Sequence, residues 1–247
     1  MHTSPEGPCA EFARFMLSRG ALKIAATEKD LFTLKSGRRS PVFANLGSLI
    51  DGQALATLAD AYADRIAGLC KCSEIPDFDY VFGPAYKGIP LGALTCAALY
   101  RKYGMAKKFL YDRKEAKAHG DVKADAVVVG ANQFMPGGKI LMIDDVITTG
   151  AAKFEAWDKL KAVLPQPQLV GVLVAVDRQE ASGDDKKAGP GAAEEVQTQL
   201  GCPLFAIATM GDLYDVLGPT LPAAQAHAWK AYFKKWGTAD AKAWAAK

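Results

Sequence analysis

Lys139-Ile-Leu-Met-Ile-Asp-Asp-Val-Ile-Thr-Thr-Gly-Ala-Ala152 decides the fold. An apolar run stops at Asp144-Asp145, and small residues then lead into a helix opening near Ala151, the pattern of a ligand-binding strand end. The amides of Thr148, Thr149, Gly150 and Ala151 would face outward at a helix N-terminus. Free donors and the positive end of the helix dipole favour a phosphate there, and the two threonine hydroxyls add to the cradle. The plain alternative is that the two acids cap the next helix. Adjacent carboxylates repel, so a site that uses both calls for sugar hydroxyls or a divalent cation nearby.

Outward from this loop, short apolar runs at 80–82, 108–111, 169–176 and 204–208 alternate with helical patterns at 89–103, 151–163 and 192–200. Strands alternating with crossover helices predict an α/β fold with a mainly parallel central sheet. Upstream, residues 8–19 have helical spacing closed by Gly20, and Asp51 is suited to cap an amphipathic helix reaching about Leu69. Extended pieces at 31–35 and 42–46 flank Ser36-Gly37-Arg38-Arg39, which predicts a β-hairpin. The Gly-, Asp- and Lys-rich segment 182–192 predicts a mobile loop. A last amphipathic helix follows Pro222, and the Ala/Lys-rich tail 238–247 is expected to fray. One domain over 1–237 is expected, with a small hood at about 8–50 on the core.

The chain has 247 residues, half of them apolar, which is enough to bury a full core. A formal net charge of +3 gives no nucleic-acid-coating surface, so any anion site must be local. Five scattered cysteines lack zinc-knuckle or redox spacing and read as reduced. No apolar stretch reaches the roughly 18 residues needed to span a bilayer, and no leader pattern opens the chain. A soluble, cytoplasmic protein without membrane or nucleic-acid partners is expected.

Four apolar residues, two acids, two apolar residues and Thr-Thr-Gly closely resemble the phosphoribosyl pyrophosphate (PRPP) motif of type I phosphoribosyltransferases. Three further segments, Thr33–Gly47, Phe82–Leu91 and Tyr111–Gly120, resemble the orotate phosphoribosyltransferases more narrowly. Physically, Phe82–Leu91 is a strand end, then Gly83-Pro84, then a helix opening at Gly88, which sets Tyr86 and Lys87 beside the phosphate loop. A lysine at a helix start opposes the dipole unless an anion is present. Arg113, Lys114, Lys117 and His119 crowd a polar segment that is either a solvated charged loop or a basic flap closing over a charged substrate.

The resemblance implies that Asp144 and Asp145 contact the ribose hydroxyls and that Val146 through Ala152 (Val146, Ile147, Thr148, Thr149, Gly150, Ala151, Ala152) hold the 5-phosphate. It implies a non-proline cis peptide in the Phe82–Leu91 loop, PRPP contacts from Lys35, Tyr86, Lys87, Arg113, Lys114, Lys117 and His119, with Lys87, Lys114, Lys117 and His119 on the departing pyrophosphate, and a catalytic role centred on Lys117, His119 and the two acids. Orotate would lie against Lys35, Phe43, Ala44, Thr148 and Arg178. Arg178 follows a buried run, where a guanidinium can grip a carboxylate, or else pair with Asp177 or Glu180. The implied cofactor is Mg²⁺, carried by PRPP or pyrophosphate and water without a direct protein ligand. The implied assembly is a homodimer with the flap shared between subunits.

Some positions depart from that pattern. Ala44 stands where a second aromatic is usual, Ala151 where a threonine is usual, and the flap lacks a second glycine pair. Two other functions remain open on sequence alone: a purine or uracil transferase of the same fold, and a non-catalytic PRPP-sensing regulator.

Overall fold

The computed structural model describes residues 7–114, 127–147, 150–184 and 187–247. The hood begins with helix α1 (Pro8–Ser18), whose buried face is Ala10, Phe12, Ala13 and Met16. Strand β1 (Leu22–Ile24), the pair β2 (Phe32–Thr33) and β3 (Arg39–Ser40), and β4 (Val42–Ala44) complete it. The expected reversal at Ser36–Arg39 is present, since β2 pairs antiparallel with β3. Val42–Ala44 does not join it, however. It pairs with β1, with Leu22 opposite Ala44. The reason lies in burial: Leu22, Val42 and Ala44 are all enclosed, and the β1–β4 pairing puts them into one core.

Helix α2 (Gly52–Lys71) starts where expected, with Asp51 Oδ1 accepting from Ala54 N at 2.8 Å. The core then runs β5 (Tyr80–Gly83), α3 (Gly88–Tyr103), β6 (Lys108–Asp112), β7 (Val128–Val129), β8 (Lys139–Ile147), α4 (Ala151–Val163) and β9 (Gln168–Asp177). After it come β10 (Ala181–Gly183), β11 (Ala188–Gly191), α5 (Ala192–Leu200), β12 (Leu204–Thr209), α6 (Met210–Leu217), α7 (Ala223–Trp236) and α8 (Ala239–Ala246). The sheet order is β12-β9-β8-β5-β6-β7, parallel throughout except for the β6–β7 pair. One sheet face carries Leu141, Ile143, Leu173 and Ala175 into a core shared with α2, α3, the hood and α6–α8. The other carries Ile140, Met142, Val172 and Val174 against α4 and α5. Hood residues Phe12, Met16, Leu22, Val42 and Ala44 pack into the first of these cores.

Three expectations are corrected. Strand β8 does not stop at the acids but continues to Ile147, so Asp144 and Asp145 lie within it. The segment 182–192, expected as a mobile loop, is paired in its described part: β10 and β11 run antiparallel, held by Arg38. The buried Arg38 guanidinium donates to the carbonyls of Ala181 (2.5 Å), Ser182 (3.0 Å) and Asp184 (2.8 Å), and it stacks 4.5 Å from the Trp236 ring. The tail does not fray. Thr238 caps α8, Ala241 and Ala245 are buried, and Trp244 stacks on Tyr214 with ring centroids 5.5 Å apart. Alanine spacing along the tail buries one narrow face, and Trp244 supplies the apolar area that composition averages conceal. None of the described helices is long and apolar enough to cross a membrane.

Candidate active site

The site forms where β5, β8 and β9 end together. Parallel pairing sets Phe82 opposite Met142 and Ile147 opposite Asp177, so the loop after β5, the turn after β8 and the corner after β9 share one edge. Open α/β sheets bind ligands at this edge.

Successive strand residues point to opposite faces, and the two acids follow that rule. Asp145 Oδ2 accepts from Lys87 Nζ at 2.6 Å, on the α3 side. Asp144 Oδ2 accepts from Lys153 Nζ at 2.5 Å, on the α4 side. The expectation that the acids crowd each other is therefore corrected: each has its own lysine. Asp144 is tied further, with Oδ1 accepting from Asp145 N at 2.9 Å and its carbonyl accepting from Tyr62 Oη at 2.7 Å. Burial, with the Asp144 and Asp145 charges second, pushes the Tyr62 phenol well above its usual range, so it stays an O–H donor.

Gly150 caps α4 at φ 76°, a left-handed turn that favours glycine. A Cβ there would also meet Val196 at 2.5 Å and Phe154 at 2.8 Å, so α5 packs tightly over the turn. Lys153 N and Phe154 N both donate to Gly150 O, so the amides of the exposed residues Ala151 and Ala152 precede the helical ladder, without an acceptor among the described residues, where a helix N-terminus favours an anion. Val146 is half-buried and Ile147 buried, so Ile147 offers backbone only. Thr148 and Thr149 lie outside the described residues.

The loop after β5 carries the implied cis peptide, at Ala85–Tyr86. Gly83 and Gly88 are needed because side chains there would collide with the facing backbone: a Cβ on Gly88 would lie 2.9 Å from Gly83 C and from Ile143 O. The buried Asp112 holds this loop, accepting from Ala85 N at 2.7 Å and from Lys159 Nζ at 2.9 Å. Lys114 Nζ lies 5.9 Å from the centre of the exposed Tyr86 ring, so the base of the basic segment reaches the same loop. Arg113 Nε is buried without an acceptor among the described residues. Lys117 and His119 lie outside them.

In the hood, Lys35 is exposed at the turn after β2, and half-buried Phe43 stacks on Phe32 with centroids 5.6 Å apart. Ala44 beside it is small and buried. At the β9 corner Arg178 Nη2 donates to both oxygens of Glu180, at 2.8 and 2.9 Å. The ion-pair alternative therefore holds in this structure, but it uses one nitrogen of a guanidinium that carries five N–H donors. Gln179, at φ 49°, anchors the corner: its Oε1 accepts from Gly211 N and from Trp244 Nε1.

Lys153, Asp112, Tyr62 and Phe32 escaped the sequence reading. Lys153 had a signal, because 153, 156, 157 and 160 have the i, i+3, i+4, i+7 spacing of the buried stripe of α4. Asp112 had none, since its partners Ala85 and Lys159 come from distant segments.

No protein-family model matches the chain. It is 41% identical over 205 residues to an orotate phosphoribosyltransferase of Bifidobacterium adolescentis, covering 83% of each chain. It is 40% identical over 216 residues to that of Schizosaccharomyces pombe, covering 87% of this chain and 94% of the relative. Among solved structures, an orotate phosphoribosyltransferase of Francisella tularensis superposes with a TM-score of 0.75 at 35% identity, over 92% of this chain and all of that one. With these glycines, acids and lysines set at one sheet edge, and with this similarity over most of its length, the chain belongs to the orotate phosphoribosyltransferase family.

Proposed function

We propose that the protein transfers the ribose 5-phosphate group of PRPP to orotate, giving orotidine 5-monophosphate and pyrophosphate in the synthesis of UMP. The observation that carries this reading is the pairing of Asp145 with Lys87 at the β8 end, next to the amides that open α4. A sugar diphosphate presents hydroxyls, a terminal phosphate and a pyrophosphate. This edge offers carboxylates, helix N-terminal donors and a lysine 62% exposed.

The ring nitrogen of orotate forms a bond to the anomeric carbon as the bond from that carbon to the pyrophosphate oxygen breaks, and the proton of that nitrogen leaves to the departing pyrophosphate or to water. Breaking runs ahead of making, so positive charge builds on the sugar and negative charge on the leaving group, and no side-chain nucleophile is needed. Asp144 and Asp145 hold the ribose hydroxyls. Val146 to Ala152 hold the 5-phosphate. Lys35, Tyr86, Lys87, Arg113, Lys114, Lys117 and His119 bind PRPP, with Lys87, Lys114, Lys117 and His119 on the departing pyrophosphate and Lys117 and His119 acting in the transition state. Lys35, Phe43, Ala44, Thr148 and Arg178 orient orotate. Mg²⁺ suits the hard oxygen donors of such a site and, bound through pyrophosphate oxygens and water, would neutralise the leaving group. In a homodimer the segment from Arg113 to His119 reaches the partner's cradle.

The test is loss of orotate absorbance with PRPP and Mg²⁺, run beside uracil, hypoxanthine and adenine. Turnover with orotate alone is expected. Turnover with another base and none with orotate would overturn the reading.

A further inference from the structure

Lys153 occupies the first turn of α4, where a cation opposes the helix dipole. Its side chain is only 4% exposed, and an ammonium buried this deeply is costly unless it is paired. Its partners are Asp144 Oδ2 at 2.5 Å and Val146 O at 3.4 Å. The rest of its helical stripe, Ala156, Trp157 and Leu160, is apolar core. Two well-packed apolar residues would serve that core as well as a buried ion pair does. The pair also sits at the site: Lys153 N donates to Gly150 O at 2.8 Å, and Asp144 is the neighbour of Asp145.

Asp144 is thus gripped from two directions, by Lys153 on Oδ2 and by the Asp145 amide on Oδ1. Each carboxylate oxygen has a second lone pair, so a ligand hydroxyl can still be accepted. We infer that Lys153 is a positioning residue for the transfer proposed above: it fixes the Asp144 carboxylate for the ribose hydroxyls of PRPP and offsets its negative charge below the phosphate cradle. This rests on the proposed reading of the site. Removing Lys153 would free the carboxylate to rotate and leave its charge facing an incoming phosphate.

A double-mutant cycle with Lys153→Met and Asp144→Asn tests this, read by calorimetric titration of PRPP and by separate KM and kcat values. Lys153→Met is expected to weaken PRPP binding by about tenfold, with the KM for PRPP rising in step and the KM for orotate changing by less than about twofold. The double variant should bind PRPP no more weakly than the weaker single variant, because both changes remove one interaction. A purely structural role would lower the melting temperature while leaving PRPP affinity unchanged. Wild-type affinity in Lys153→Met, or losses that add in the double variant, would overturn the inference. If Lys153→Met does not fold, Asp144→Asn is compared with the double variant, which removes both charges; any further loss of PRPP affinity in the double then overturns it. Failure of the wild-type protein to bind PRPP would instead remove the functional reading itself.

Discussion

Lys87 Nζ lies 2.6 Å from Asp145 Oδ2, joining the loop after β5 to the end of β8 across the mouth of the site. Asp145 is nearly enclosed while Lys87 is largely exposed, so the lysine can leave its partner for an arriving anion at little cost.

Replacing Lys87 by Met should therefore act on catalysis rather than on folding. We expect kcat to fall about 10- to 100-fold, roughly 1.4–2.7 kcal/mol of lost transition-state stabilisation. The melting temperature should move by less than about 4 °C, as for a loss of up to ~1 kcal/mol from an exposed pair. Steady-state kinetics with thermal melts check both, and an unchanged kcat counts against Lys87 as a pyrophosphate ligand.

Arg178→Ala should raise the KM for orotate by about 30- to 100-fold, the loss of roughly 2–3 kcal/mol from a charge-assisted pair, with PRPP affinity close to wild type. Glu180→Gln tests the competing partner. It holds Nη2 more weakly, so orotate should bind at least as tightly as in the wild type. Titration of each variant with orotate and with PRPP separates these effects.

Arg38 should matter to stability. Its three carbonyl contacts join the turn after β2 to the β10–β11 hairpin. Arg38→Met strips those carbonyls of their donor and should cost about 2–4 kcal/mol, lowering the melting temperature by several degrees. Trypsin should then cut near Lys187 faster than in the wild type. A variant as stable and as resistant as the wild type would show that the latch is dispensable.

Burial raises the pKa of Asp177, opposed by the Gln179 amide that donates to its Oδ1 at 2.8 Å. A raised folded-state value means that protonation favours the fold. This contribution is present below the unfolded carboxylate pKa and is lost as pH rises through the folded one. Asp177→Asn keeps an oxygen acceptor without the charge, so its melting temperature should exceed that of the wild type at pH 7, with the gap closing toward pH 4. Melts across that range decide it, and a gap that widens on acidification has the wrong sign.

Subunit mixing tests the shared flap. Lys117→Ala protein and Asp144→Asn, Asp145→Asn protein should each be inactive. Heterodimers would contain one site with both defects and one site with neither, so mixing should restore activity in proportion to the heterodimer population. Exchange demonstrated by mass spectrometry without recovery would place the flap over its own chain's cradle.

The alternation of apolar runs with helical stripes determined the parallel sheet, and Asp-Asp followed by Thr-Thr-Gly marked its ligand edge, because both signals are local and periodic. Helices at Ala151–Val163 and Ala192–Leu200 begin and end where their spacing predicts, for the same reason. Tertiary structure decided what local pattern cannot encode: which partner a short strand takes and which charge meets which. Val42–Ala44 left the hairpin for β1, a pairing that buries Leu22, Val42 and Ala44 together. Arg38 looks like a solvated cation in the sequence, and it is buried because its acceptors, the carbonyls of β10, arrive from a distant segment. Lys153 falls on the buried stripe of α4, but only the fold shows that its acceptor is Asp144. The acids themselves show the division most clearly. Their adjacency suggested mutual repulsion, but the pleat of β8 sends them to opposite faces, where the loop before α3, distant in sequence, and the first turn of α4 bring each its own lysine.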